Sequence, residues 1–231
     1  LSLLAMGAGL APLYRGENPE QKLAQLTEGT LPISTYMRAG FTFLKMMIDS
    51  GYLNIEQALS TQPNSEEERN RFRDGQCALI STICRGSAFS DDYPFEMAMT
   101  AMPILEEGTI CVVGADQRLA VNPNSKHLDE ALAAVEALGT VETLNEFARL
   151  QRKTSSARGN EAATLPQAAP LISSLTTDEQ IPNQDFSLHF NTWNTIKELC
   201  VKLGEGASVD AVCEEYDTLQ LQGSERCDAR A

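Results

Sequence analysis

Asn70-Arg-Phe-Arg-Asp-Gly-Gln-Cys-Ala-Leu-Ile-Ser-Thr82 is the stretch on which the reading of the fold turns. It is a charged helix end, a glycine stop, and then an apolar run carrying β-branched residues. The sequence therefore predicts a buried strand over Cys77 to Cys84. About forty residues later stands Gly114-Ala-Asp-Gln-Arg-Leu-Ala-Val-Asn-Pro-Asn-Ser-Lys126. Strands are expected over Ile110 to Val113 and Arg118 to Val121, with a hairpin or bulged connection at Gly114-Ala-Asp116. The second of them feeds a helix through the Asn-Pro-Asn-Ser turn.

Helices surround these strands. Met37, Phe41, Leu44 and Ile48 recur at four, three and four residues after a Ser34 or Thr35 cap, and Gly51 ends the run. Ser65-Glu-Glu-Glu68 is a capping box, in which serine and glutamate satisfy two orphan amides, and its helix runs to Arg73. Ser125 starts a helix with Leu128, Leu132, Val135 and Leu138 on one face, and Thr140 opens another through Val141, Leu144, Phe147 and Leu150. From Thr154 to Ala169 a Ser, Ala and Gly-rich stretch reads as a surface loop or crossover, and helices resume near Leu171. Trp193, Ile196, Cys200 and Leu203 mark one further helix, and Ser208 caps a last one with Val209, Val212, Tyr216 and Leu219. The polar tail after Gln222 is expected to fray.

The chain of 231 residues, 42% of them hydrophobic, can bury a real core. Its 32 acidic and 18 basic side chains give a formal charge of -14, which repels phosphates and anionic lipid, so nucleic acid is not an expected partner. The longest apolar run, Leu1 to Pro12, is too short to span a bilayer, lacks a basic leader and is not read as a signal peptide. The chain opens without an initiator Met inside this run and is read as a fragment. Six cysteines do not form a disulfide framework or paired zinc knuckles. Cys77, Cys200 and Cys213 fall at apolar-periodic positions and are read as small buried hydrophobes. With only His127 and His189, a His-rich metal site is excluded.

No phosphate-binding GxxxxGK loop, HExxH, GxSxG or GxGxxG motif is present. Asp91 and Asp92 are a pair of carboxylates, but adjacent acids before Tyr93-Pro94 read as a solvated turn rather than an acid-base couple.

The order of elements resembles the C-terminal half of bacterial extracellular solute-binding proteins, the receptors of sugar-type ABC importers. In that family a Phe-x-x-Gly helix end precedes a strand whose end contacts ligand, often with an aromatic ring. Phe72-Arg-Asp-Gly75 and Gln76 to Ile83 match, which marks Thr82 and puts Arg85 where the aromatic stands. An arginine fork there favours hydroxyl pairs or a carboxylate. Ala98-Met-Thr-Ala-Met-Pro103 looks like the family's Pro-ended segment. Gly114-Ala-Asp116 stands where the family has a Gly-Gly-aromatic turn, so that Asp116 either accepts hydroxyl hydrogen bonds or occupies a turn. Thr154-Ser-Ser-Ala-Arg-Gly159 is similar to a family loop but lacks its proline. Trp193 is either a ligand platform or, by its spacing with Ile196 and Leu203, a core residue.

The resemblance covers the chain from about Tyr36 onward. It implies a helix-rich α/β chain, the C-terminal part of a type II periplasmic-binding-protein fold with the first lobe largely absent. Residues 1–109 would be the helix-rich second lobe, 110–165 a return segment packed on the first lobe, and 166–231 the C-terminal helices of the second lobe. It implies a non-enzymatic receptor without cofactor, with Thr82, Arg85, Asp116 and Trp193 as ligand contacts. The partners implied are an oligosaccharide-type solute and the permease subunits of an ABC importer. The expected location is extracellular or periplasmic, with lipid anchoring through an N-terminus outside this chain and no other membrane contact. A different class is a helical protein-interaction domain whose acidic surface meets a basic partner. It predicts no strand at Cys77 to Cys84 and no sheet pairing at Arg118 to Val121. An acid-base hydrolase around Asp91 and Asp92 is a third.

Overall fold

The computed structural model describes residues 1–61, 65–81, 93–106, 108–114, 118–157, 166–175, 180–185 and 187–228, with the backbone alone at 166, 173–175 and 224–228. In chain order these form α1 (Ser2–Arg15), α2 (Pro19–Thr27), α3 (Ser34–Asp49), α4 (Ile55–Ser60), α5 (Glu66–Arg73), β1 (Cys111–Val113), α6 (Leu128–Leu138), α7 (Val141–Leu150), α8 (Ala169–Leu175), β2 (Gln180–Pro182), α9 (Trp193–Gly204) and α10 (Val209–Asp228). The chain is thus helix-rich with few strands.

Two compact units divide the chain. Unit 1 comprises Leu1–Gln62, Ala101–Gly114 and Leu175–Ala231, and unit 2 comprises Pro63–Thr100 and Ala115–Ser174. Their limits do not coincide with the segment boundaries expected at 109 and 165.

Unit 1 is built around α1. Its sequence is apolar on nearly every side and the helix is buried over most of its circumference, leaving the strip of Leu4, Ala8, Pro12 and Arg15 half-buried or exposed. Ala5, Met6, Leu10, Ala11 and Leu13 are each no more than 2% exposed. α1 lies against α2, α3, α9 and both strands, and α10 packs on α2, α3 and α9. The expected apolar stripes face this core: Met37, Phe41 and Leu44 from α3, Ile196, Cys200 and Leu203 from α9, and Val212 and Tyr216 from α10. Tyr216 meets Phe41 and Phe190 with ring centroids 6.4 and 6.3 Å apart. The loop from α2 to α3 is pinned by buried Gln220, whose Nε2 donates to the Leu26 and Leu31 carbonyls at 2.6 and 2.9 Å. Its Oε1 accepts from the Ile33 N–H at 2.7 Å.

The sheet is small. β1 and β2 run parallel, with Cys111 opposite Gln180, Val112 opposite Ile181 and Val113 opposite Pro182. Ile110 makes an antiparallel bridge to Met102 just before β1. A parallel pair needs a long crossover, here residues 114–179.

In unit 2, α5 begins at the expected Ser65 cap, whose hydroxyl accepts from the Glu68 N–H at 3.1 Å, and Gly75 follows with φ +71°. Phe72, Tyr93 and Phe95 form an aromatic trio with centroids 5.3 to 5.7 Å apart. Thr140 caps α7 by accepting from the Thr143 N–H at 3.3 Å. α6 packs on α7, yet it buries no residue, and α7 buries only Ala148.

Several expectations are corrected. Residues 77–81 form no strand, Leu79 is 83% exposed and Cys77 is exposed as well, while 82–84 lie outside the described residues. A short apolar run is a strand only when a neighbour supplies its ladder, and none does so here among the described residues. Residues 118–121 form no strand either, and the Ala115-Asp116-Gln117 connection lies outside the described residues. The strand at 110–113 survives as Cys111–Val113, but its partner is β2 and not a hairpin neighbour. β2 had no sequence signal, being three residues long and ending in proline, which the sheet tolerates at a strand end. Instead of fraying after Gln222, the backbone of α10 stays helical to Asp228, and Gly223 packs on Phe190.

Candidate functional site at the carboxyl end of the parallel pair

Where β1 and β2 end, Gly114 and Asn183 come together. The Asn183 N–H donates to the Val113 carbonyl at 2.8 Å, which extends the ladder one step past β2. A Cβ built on Gly114 would sit 2.7 Å from both terminal atoms of the Asn183 amide, so only glycine leaves that amide its place. Gly114 is exposed and Asn183 half-buried.

The residues after Asn183 are held by polar bonds rather than by regular structure. Buried Thr192 donates from its N–H to Gln184 Oε1 at 2.9 Å. Its hydroxyl reaches the Asn183 carbonyl at 3.1 Å and the same Gln184 oxygen at 2.9 Å. Gln184 Nε2 donates to the carbonyls of Asp185 and Phe190 at 3.1 and 3.3 Å. Asp185 Oδ1 accepts from the Ser187 N–H and hydroxyl at 2.9 and 2.6 Å, and Oδ2 accepts from the Tyr14 phenol at 3.1 Å. Burial, and then the Asp185 charge and hydrogen bond, push the Tyr14 phenol far above the ordinary range, so it remains a donor.

Thr192, Gln184, Asp185 and Tyr14 are thereby committed to fixing the turn. None of the hydrogen bonds among the described residues engages the Asn183 side-chain amide. It offers two N–H donors and one carbonyl acceptor on a rigid mount beside an open glycine. That set matches hydroxyl-bearing or amide-bearing small molecules, and in α/β proteins ligands bind beyond the carboxyl ends of strands.

Of the expected contact residues, Thr82, Arg85 and Asp116 lie outside the described residues, as do Asp91 and Asp92. Trp193 is described. It is the first residue of α9 and packs, half-buried, against the hydrophobic core of unit 1, the second of its two readings. Asn183, Gln184 and Thr192 were not singled out by sequence reasoning. The Pro182-Asn-Gln184 run carries turn residues, but nothing local marks Thr192 as buried.

Among the described residues, no helix is long and apolar enough to cross a membrane. No family model, curated protein or solved structure matches the chain.

Proposed function

We propose that the chain is part of a solute-binding receptor of an ABC importer. In this reading it takes a small hydroxyl-rich solute, a carbohydrate by preference, holds it without making or breaking a bond, and delivers it to a membrane permease. The fold assigned by this proposal is the C-terminal part of a type II periplasmic-binding-protein architecture, working outside the cell membrane. The observation that carries the reading is the uncommitted Asn183 amide at the carboxyl end of a parallel strand pair. Two further observations support it. The chain passes repeatedly between its two units, at 62/63, 100/101, 114/115 and 174/175, as the chain of a hinged receptor does. And α6 and α7 keep an apolar face that a further portion of a lobe would cover.

The test is a thermal-shift screen of the protein, and of its Asn183→Ala variant, against monosaccharides, oligosaccharides, polyols and short peptides. A ligand that binds only the native state stabilises it by about 2.7 kcal/mol at a hundred times its dissociation constant. The expected result is a shift with a sugar that shrinks in Asn183→Ala. Silence across all these classes sinks the proposal.

A second reading, a protein-interaction domain with an acidic face, is favoured by one observation. Residues 77–81 and 118–121 form no strand, as that reading requires. The hydrolase reading rests on Asp91 and Asp92, which lie outside the described residues.

A further inference from the structure

α2 carries Glu20, Leu23, Ala24 and Thr27, and Glu28 follows as its C-cap with helical backbone; spacings of three, one, three and one place all five on one helical stripe. Together with Ser187 they line an open groove of about 370 Å³. The far wall is fixed, because the Thr27 hydroxyl donates to the Ser187 carbonyl at 2.8 Å. Leu23 and Ala24 supply an apolar floor, and a glutamate stands at each end. Eight residues on a helix rise about 12 Å, so the two glutamates are rooted about that far apart along the axis, one at each end of the floor. Both glutamates are exposed, and neither is in an ion pair among the described residues. Lys22, two positions from Glu20, lies on another face and over Gly16. Next to Glu28, Gly29 lies against half-exposed Leu221, another apolar surface beside the acidic end.

We propose that this groove is a docking site for a basic amphipathic helix of a protein partner. An apolar side chain such as leucine on that helix would lie against Leu23 and Ala24, and two lysines or arginines would meet Glu20 and Glu28. The argument is charge complementarity. An apolar floor alone would accept many occupants, but carboxylates rooted about two turns apart at its ends select a helix with cations two turns apart on its apolar side. The net charge of -14 adds long-range attraction for the same partner. The long side chains of Lys and Arg also lay their stems on apolar surface while their heads reach the carboxylates. This goes beyond solute binding and does not depend on it.

The probe is a fluorescein-labelled synthetic helix with lysines two turns apart bracketing one leucine. Its partner control carries glutamate in place of each lysine. Fluorescence anisotropy is expected to show binding of the basic probe only, weakening as salt is raised. Glu20→Gln with Glu28→Gln should weaken binding about three- to tenfold, and Ala24→Lys, which fills and recharges the groove, should weaken it further. Glu198→Gln, an exposed change on α9, should leave it unchanged. All these positions are solvent-facing, and unaltered melting temperatures verify that the variants fold. Absence of binding by the basic probe overturns the proposal. So does equal loss in Glu198→Gln and the groove variants, which would reduce the effect to net charge.

Discussion

Gly40 lies against the carbonyl oxygen of Ala5: a Cβ built on Gly40 would sit 2.0 Å from that oxygen and 3.0 Å from the Gly9 nitrogen. The crossing of α1 and α3 is therefore backbone on backbone, and it is what lets α1 sink into the centre of unit 1. A clash with backbone cannot be relieved by a rotamer, so Gly40→Ala must push the helices apart. The expected cost is about 3 kcal/mol or more in urea denaturation. Gly9→Ala should cost less, because its nearest contact at 2.7 Å is the Met37 sulfur, which can swing away. Gly51→Ala, at φ +70° with nothing within 4 Å, carries only backbone strain of about 1 kcal/mol. Equal losses in Gly40→Ala and Gly51→Ala would show that α1 and α3 do not cross this closely.

Gln220 gives a second test of the same interior. Three of its hydrogen bonds go to backbone groups of residues 26–33, of which the Leu26 carbonyl also accepts from the Gly29 N–H at 3.2 Å. Gln220→Leu keeps the volume and strands the Leu31 carbonyl and the Ile33 N–H, at an expected cost of about 2–4 kcal/mol. Gln220→Glu should also destabilise, since a carboxylate cannot donate to the Leu26 and Leu31 carbonyls. If Gln220→Leu melts like the wild type, the loop does not depend on the amide.

The longer amphipathic helices and several caps were legible because they are local. The expected Ser34 or Thr35 cap does not form, however: α3 starts at Ser34, whose hydroxyl donates to Asp217 Oδ2 at 2.6 Å, and α2 and α4 were not among the expected helices. The 3.6-residue period of α3, α9 and α10, and the caps at Ser65, Thr140 and Ser208, depend on residues within one or two turns. Strand pairing was not legible, because it depends on what lies opposite. Cys77 to Ser81 has strand composition and no neighbouring strand among the described residues, while Gln180–Pro182 has poor composition and a neighbour in β1. α1 was missed for a related reason. An apolar run with two glycines carries no amphipathic stripe, and only the burial of most of its circumference shows why none was needed. At the candidate site, Trp193 could be weighed from its spacing, but Asn183 draws its meaning from Gly114, sixty-nine residues earlier.

Alkaline pH should unfold unit 1. Burial pushes the Cys200 thiol up from 9.0 to about 12 and raises the Tyr14 and Tyr216 phenols strongly. Each group has a higher pKa folded than unfolded, so its contribution is complete below the unfolded value and is lost as pH rises toward the folded one. For Cys200 the window is pH 9.0 to about 12. Stability measured by denaturant should fall across that window by up to about 1.4 kcal/mol per pH unit for each group titrating. Cys200→Ala should flatten part of the slope while costing stability at neutral pH through the cavity it leaves. A flat profile to about pH 11 would mean these groups are hydrated in the folded state.

Tyr216 adds a change of opposite sign. Its hydroxyl is fully buried and has no hydrogen-bond partner among the described residues. An unpaired buried hydroxyl costs about 1–3 kcal/mol, and the ring contacts with Phe41 and Phe190 survive its removal. Tyr216→Phe is therefore expected to raise the melting temperature, against the general trend of core substitutions. A clear loss of stability would reveal a partner for that oxygen.

Leu132, Leu138, Val141, Phe147 and Leu150 of α6 and α7 are each between 41% and 64% exposed. The spacing that predicted these helices put the same residues on one face, and that face is uncovered among the described residues. Burying such side chains is worth about 1.5–3 kcal/mol apiece, so the face should seek cover. The chain is expected to bind a hydrophobic dye and to associate with itself as concentration rises in analytical ultracentrifugation. Replacing Leu138, Phe147 and Leu150 together with lysine should abolish both without lowering the melting temperature of the monomer, because none of the three is in a core to begin with. If the triple variant unfolds, the face is already packed, and the support that it lends to a covering lobe is removed.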